Sequence, residues 1–108
     1  MNIDLAKQIV ATYEKHGWGL RRVLVISAAE SDAAEIAEAF PDPAKVPAEI
    51  DALWFARASQ GGREAWELRL VVEQPYALFE AFEADESEEE REEARREMEH
   101  KMREYAKG

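Results

Sequence analysis

Residues 51–73 read DALWFARASQGGREAWELRLVVE, two alternating runs joined at Gly61-Gly62. Paired glycines supply the positive φ angles that a tight turn needs, so this stretch predicts a β-hairpin. With a two-residue turn, Gln60 faces Arg63, Arg57 faces Trp66, Phe55 faces Leu68 and Leu53 faces Leu70. Period-2 geometry then puts those side chains on one apolar face, with Val72 beyond them. The opposite face holds Trp54, Ala56, Ala58, Ala65, Glu67, Arg69 and Val71. It is mixed, with Trp54 beside Glu67 and Arg69, as expected of an antiparallel sheet wet on one side. A one-residue slip would send Phe55, Leu68 and Leu70 to the wet side, so the pattern predicts a firm register.

The chain around the hairpin supplies further elements. Asn2 or Asp4 caps a first helix reaching Lys15 or His16, with Ile3, Ala6, Ile9, Val10 and Tyr13 as its apolar stripe. Gly17 supplies the stop. Residues 20–27 form a strand, and Val23, Leu24, Val25 and Ile26 suit burial on both faces. Ser27 or Ser31 caps a short second helix, with Asp32 and Glu35 near its positive end and Ala33, Ile36, Ala37 and Phe40 on its inner side. Residues 41–50 carry three prolines and read as an ordered loop into which Val46 and Ile50 tuck. Residues 76–85 do not follow one period. Pro75 before them and the cap after them favour a strand over a helix.

Ser87 and Glu90 have the spacing of a capping box and open a last helix to about Ala106. Acidic residues crowd its first turns and basic ones follow, as the helix dipole prefers. Glu92–Arg96, Glu97–Lys101 and Glu99–Arg103 are spaced as i,i+4 ion pairs. Its apolar stripe is thin: Ala94, Met98, Met102 and Tyr105.

The expected architecture is therefore a single α+β domain over residues 1–108, of order α-β-α-β-β-β-α. Its four-stranded sheet is mostly antiparallel, with helices mainly on one face.

Composition narrows the function. With 14 Lys and Arg against 24 Asp and Glu, the formal charge is −10. That argues against nucleic-acid binding, which needs cations to neutralise phosphates. No cysteine is present, so neither disulfides nor thiolate chemistry are expected. No apolar run approaches a membrane span, and the first residues lack the form of a signal peptide. A soluble cytoplasmic protein is the expectation.

Catalytic motifs are missing. The serines have no nucleophile context, and neither a phosphate-binding nor a dinucleotide-binding glycine pattern occurs. His16 and His100 lie far apart, so neither a metal site nor a cofactor is expected. Arg21 and Arg22 near Gly19 read as solvated charges rather than as an anion site. The candidate binding set is Trp54, Arg57, Trp66, Glu67 and Arg69, because Trp and Arg anchor interfaces and stack on one another.

The reading that follows is a non-catalytic protein-interaction module, binding a protein partner or forming a homodimer through an uncovered sheet face. One alternative is a small-molecule or enzymatic pocket between the sheet and the first helix, lined by Trp18, Trp66 and Arg57 with His16 nearby. The other is an inhibitor that captures a basic partner on its acidic helix.

Overall fold

The computed structural model describes residues 1–26 and 30–108, with the side chains of residues 30–32 left out. The order is α1 (Ile3–Lys15), β1 (Gly19–Ile26), α2 (Glu30–Ala39), β2 (Ala44–Ala48), β3 (Ala52–Ala58), β4 (Glu64–Leu70), β5 (Ala77–Phe82) and α3 (Glu88–Lys107). The five strands form one sheet in the order β2-β1-β3-β4-β5. It is an α+β domain with a mixed sheet, because β2 runs parallel to β1 and the remaining neighbours are antiparallel.

Local signals hold where they are self-contained. The Asn2 side chain caps α1 by accepting from the Leu5 amide at 3.1 Å, and Gly17 leaves the helix at φ 84°. Ser87 and Glu90 satisfy each other's backbone amides, both at 3.1 Å, in a reciprocal capping box. Residues 77–82 are a strand, as expected. Ser27 lies outside the described residues, as do the side chains of Ser31 and Asp32.

The hairpin forms, but in another register. Its turn has three residues, Gln60–Gly62, closed by the Ser59 amide donating to the Arg63 carbonyl at 2.9 Å. Gly61 and Gly62 both take left-handed angles, φ 69° and 79°. That extra residue turns β4 over relative to β3. Trp54 now pairs with Leu68 and Ala56 with Trp66, while Phe55 pairs with Glu67 and Leu53 with Arg69. The two faces expected from a two-residue turn are therefore mixed, each exchanging its β4 half.

Both faces of the sheet are covered, which corrects the expectation of helices mainly on one side. Leu53, Phe55, Val23 and Val71 pack against Ala6, Ile9 and Val10 of α1, Ile36 of α2 and Phe40 just after it. Leu24, Ala52, Trp54, Trp66, Leu68, Leu70 and Phe82 pack against Met98 and Met102 of α3. Burying each such large side chain is worth roughly 1.5–3 kcal/mol before entropy is counted. In β1, neighbours Val23 and Leu24 point to opposite faces and are both buried as expected, but Val25 is only partly buried and Ile26, at the strand's end, is 49 % exposed.

The stretch expected to be a loop supplies a fifth strand. β2 pairs Ala44 through Ala48 with Arg22 through Ile26, reached through α2 because parallel strands need a crossover. Pro47 has no amide hydrogen to donate, and an edge strand tolerates that. Ile50 is buried as expected, but Val46 is 36 % exposed. Ile36 of α2 and Phe40 just past its end face inward, whereas Ala33 and Ala37 are exposed.

Candidate functional site

The five residues singled out by sequence separate onto the two sides of the sheet. Trp54 and Trp66 lie beneath α3; Arg57, Glu67 and Arg69 lie on the α1 side. A two-residue turn would divide them too, with Trp66 beside Arg57; the three-residue turn moves Trp66 to Trp54's side and Glu67 and Arg69 to the side of Arg57.

Trp54 is 0 % exposed. Its indole N–H donates to Glu99 at 2.8 Å, and its ring meets that of Trp66 edge-on at 5.8 Å. An uncovered face around Trp54 therefore does not exist, and the homodimer argument built on one loses its premise. Trp66 lies under two guanidinium groups, Arg95 at 4.3 Å and Arg22 at 5.4 Å from the ring centre. Arg95 is 1 % exposed and also lies 5.6 Å from the Phe82 ring centre. Its charge is met by Glu88 and by Glu92 at 3.4 Å, and Glu92 also binds Arg22 through two 3.0 Å bonds. The bonds from Arg22, then from Arg95, hold the Glu92 carboxyl at about 2, against an ordinary 4.5. Arg91 lies alongside, bonded to Glu64 at 2.6 Å and to the Glu83 carbonyl at 2.7 Å. This cluster is an internal tie between α3 and the sheet. Its central cation is shut away from solvent and no ligand can reach it.

The α1 side is arranged differently. Tyr13 stacks on Phe55 with ring centres 4.0 Å apart, and its hydroxyl donates to the Glu67 carboxylate. Burial, and then that carboxylate, raise the Tyr13 phenol above its ordinary value. Arg69 is buried and donates to the carbonyls of Leu70 and Val72. Arg57 folds over the Trp18 ring at 4.8 Å and donates to the His16 carbonyl at 3.1 Å. His16 itself makes a local contact, Nδ1 to the Thr12 carbonyl at 2.9 Å. Trp66 lies on the other side of the sheet from Trp18 and Arg57, so these three do not line one pocket. Two clefts flank α1, one by Tyr13 and Arg69 of about 260 Å³ and one by Glu14, Leu20 and Phe40 of about 550 Å³, and neither is lined by Trp18, Trp66 or Arg57. A wider cleft of about 860 Å³ opens at the other end of the sheet beside Ile50, Leu70, Val72 and Tyr105. Its Asp51 is already used, accepting from the Ile26 amide at 3.0 Å.

The outstanding surface feature is one that sequence reasoning passed over. Phe79 is 57 % exposed, the largest exposure among the large apolar side chains described. It lies on β5, at the edge of the sheet, and Trp18 meets its ring edge-on at 6.2 Å. Ala77 and Ala81 flank it on the same side and are exposed too, while Phe82 on the other side packs against α3. Proteins blunt exposed edges with charged residues, lysine above all, with proline or with bulges, and the one charge within β5 is Glu80. The β2 edge carries Lys45 and Pro47, but Ala77–Phe82 carries neither residue type. The signal was legible as alternation of Ala77, Phe79 and Ala81 in a strand without lysine or proline.

Acidic charge surrounds this edge. Residues 77–86 contain Glu80, Glu83, Asp85 and Glu86 and no basic residue. Glu83 pairs with Arg63 at 3.0 Å. Among the described residues, no three His, Asp or Glu side chains group to hold a metal, and no helix is long and apolar enough to cross a membrane. No family model, curated protein or solved structure matches the chain.

Proposed function

We propose that this domain is a non-catalytic protein-interaction module of the cytoplasm, and that it docks its partner on the β5 edge. The observation carrying this reading is Phe79, exposed at a strand edge without lysine or proline between Ala77 and Ala81. An edge strand offers unpaired backbone donors and acceptors, and a partner segment can add to it as a further strand. Phe79 with Trp18 gives that segment an aromatic surface on which to seat a side chain. Trp and other aromatic residues are over-represented among those that dominate binding energy. The internal tie around Arg95 supports the reading indirectly, because it engages Glu88 and Glu92 and so leaves the acidic helix fewer carboxylates for capturing a partner.

A photo-reactive phenylalanine analogue placed at position 79 tests the proposal, with position 46 on the opposite edge as control. Irradiation in cells should give one or a few adducts of defined mass from position 79. They should vanish when Ala77→Lys and Ala81→Lys guard the edge. Equal labelling from both positions, or labelling indifferent to the added lysines, would rule out β5 as the docking element.

A further inference from the structure

We infer that the segment received by β5 is a short extended strand alternating apolar residues with Lys or Arg, added as the sixth strand of the sheet. This rests on the docking role proposed above for β5 and names the chemistry of its partner.

The backbone comes first. The Leu70 amide donates to the Tyr76 carbonyl at 3.0 Å, so Tyr76 faces β4 with its main chain. In an antiparallel ladder alternate residues turn their N–H and C=O to opposite neighbours. Leu78, Glu80 and Phe82 therefore turn theirs to β4, and Ala77, Phe79 and Ala81 turn theirs outward. The three residues whose apolar side chains are exposed are the same three that offer the free main chain. An incoming strand bonded there sets alternate side chains beside Phe79 on one face and beside Glu80 on the other.

The two faces ask for different residues. On the α1 side the edge itself is apolar, Phe79 with Trp18 behind it and Ala77 and Ala81 flanking, while Glu67 opposite Phe79 is engaged by the Tyr13 hydroxyl. Of the nearby cations, Arg57 is folded onto Trp18 and bonded to the His16 carbonyl, and Arg69, opposite Ala77, is buried and bonded to the Leu70 and Val72 carbonyls, so both leave that apolar surface in place. On the α3 side Glu80 is exposed, and Asp85 and Glu86 continue the negative run beyond the strand. Residues 77–86 hold four carboxylates and no base, in a chain of formal charge −10. A strand with Lys or Arg at alternate positions answers that charge, and its association is steered by it.

A second copy fits less well. Antiparallel self-pairing with Phe79 opposite Phe79 brings both Glu80 side chains onto one face within two positions of each other, where like charges repel. It also joins two bodies of charge −10.

The test is a titration of the intact ¹⁵N-labelled chain with blocked peptides. One alternates lysine and valine, and the other alternates glutamate and valine. The lysine peptide should shift the amides of Ala77, Phe79 and Ala81 and slow their hydrogen exchange; the glutamate peptide should do neither. Raising salt from about 50 to about 300 mM should weaken the lysine peptide about tenfold, since exposed pairs are screened. Glu80→Lys should cost a similar factor, and the milder Glu80→Gln about threefold. Equal binding of both peptides at the β5 amides would overturn the basic-segment inference and leave the docking role standing. Concentration-dependent shifts of those amides without peptide, with dimer mass by light scattering, would assign the edge to a second copy and overturn it likewise. Unchanged β5 amides with either peptide would overturn the inference and the docking role together.

Discussion

Replacing Arg95 separates two accounts of how α3 is held. Its guanidinium is 1 % exposed, between Trp66 and Phe82, and its Nε and Nη1 have no hydrogen-bond partner. Among the described residues, Nη2 alone of its nitrogens reaches a carboxylate, on Glu88 and Glu92. Truncation in Arg95→Ala leaves neither carboxylate stranded. Glu88 is 74 % exposed and returns to water, and Glu92 keeps Arg22. The loss is then mainly volume between two rings plus two cation–π contacts, about 3 kcal/mol in all. That is a large part of the 5–15 kcal/mol typical of a small domain. Arg95→Met refills the space, touches both rings with a thioether, and removes buried N–H groups that gained no bond. It should stay within about 1 kcal/mol of the parent, because a buried cation replaced by a well-packed apolar side chain is often neutral. Urea unfolding followed by tryptophan fluorescence and by circular dichroism gives both values. If Arg95→Met unfolded as readily as Arg95→Ala, charge rather than filled volume would hold α3. If Arg95→Ala matched the parent, Arg95 would not be a tie at all.

Two further outcomes follow from the same packing. Glu92 is held at about 2 when folded against 4.5 ordinarily, so its contribution is present above about pH 4.5 and fades as pH falls toward 2. Screening at this partly exposed site reduces it to about 1 kcal/mol, and Glu92→Gln should be less stable by that amount near pH 6 but match the parent near pH 2 in urea melts. Tyr13 has the opposite sign: its raised phenol favours folding below about pH 10 and that contribution is lost as pH rises through the folded value. Tyr13→Phe keeps the stack on Phe55, should cost about 1 kcal/mol for the lost hydrogen bond, and should remove the latest-titrating phenol from an alkaline absorbance titration.

What the sequence revealed divides along local and non-local lines. The Asn2 cap, the Gly17 stop and the Ser87–Glu90 box need only neighbouring residues, and all three form as read. The hairpin's existence was legible, but Gly61-Gly62 serves a two- or a three-residue turn equally well. The choice depends on what each face meets. Once Trp54 and Trp66 share a face, Glu99 can satisfy one indole and Arg95 can cover the other. β2 escaped notice because Lys45 and Pro47 interrupt any alternation, and a parallel edge strand is fixed by a partner far along the chain. α3 looked too polar to bury a broad face because Arg95 counted as solvated. The i,i+4 pairs expected on it are replaced by others: Glu92 turns to Arg22, Glu99 to Trp54, and Arg96 pairs with Glu93 at 2.6 Å. Of the candidate set, the expected register places Trp54 with Glu67 and Arg69 and sets Arg57 with Trp66, and the observed register exchanges those partners. Phe79 was visible as a strand residue, yet its exposure depends on β5 being last in the sheet.

The strand order β2-β1-β3-β4-β5 also shapes how the chain comes together in time. β3, β4 and β5 are consecutive neighbours, linked by short connections, so closing their contacts costs little chain entropy. β1 must meet β3 across α2 and β2, and α3 lays Met98 and Met102 onto a surface that exists only once β3 to β5 have paired. Assembly should therefore begin in the meander and end with the helices, as low contact order favours. Truncation at Leu68 should slow refolding, whereas Ile36→Val should mainly hasten unfolding, a division that stopped-flow kinetics resolves. On that timetable β5 has an open edge before α3 has docked, and Phe79 is exposed to other chains from the first stages of assembly onward.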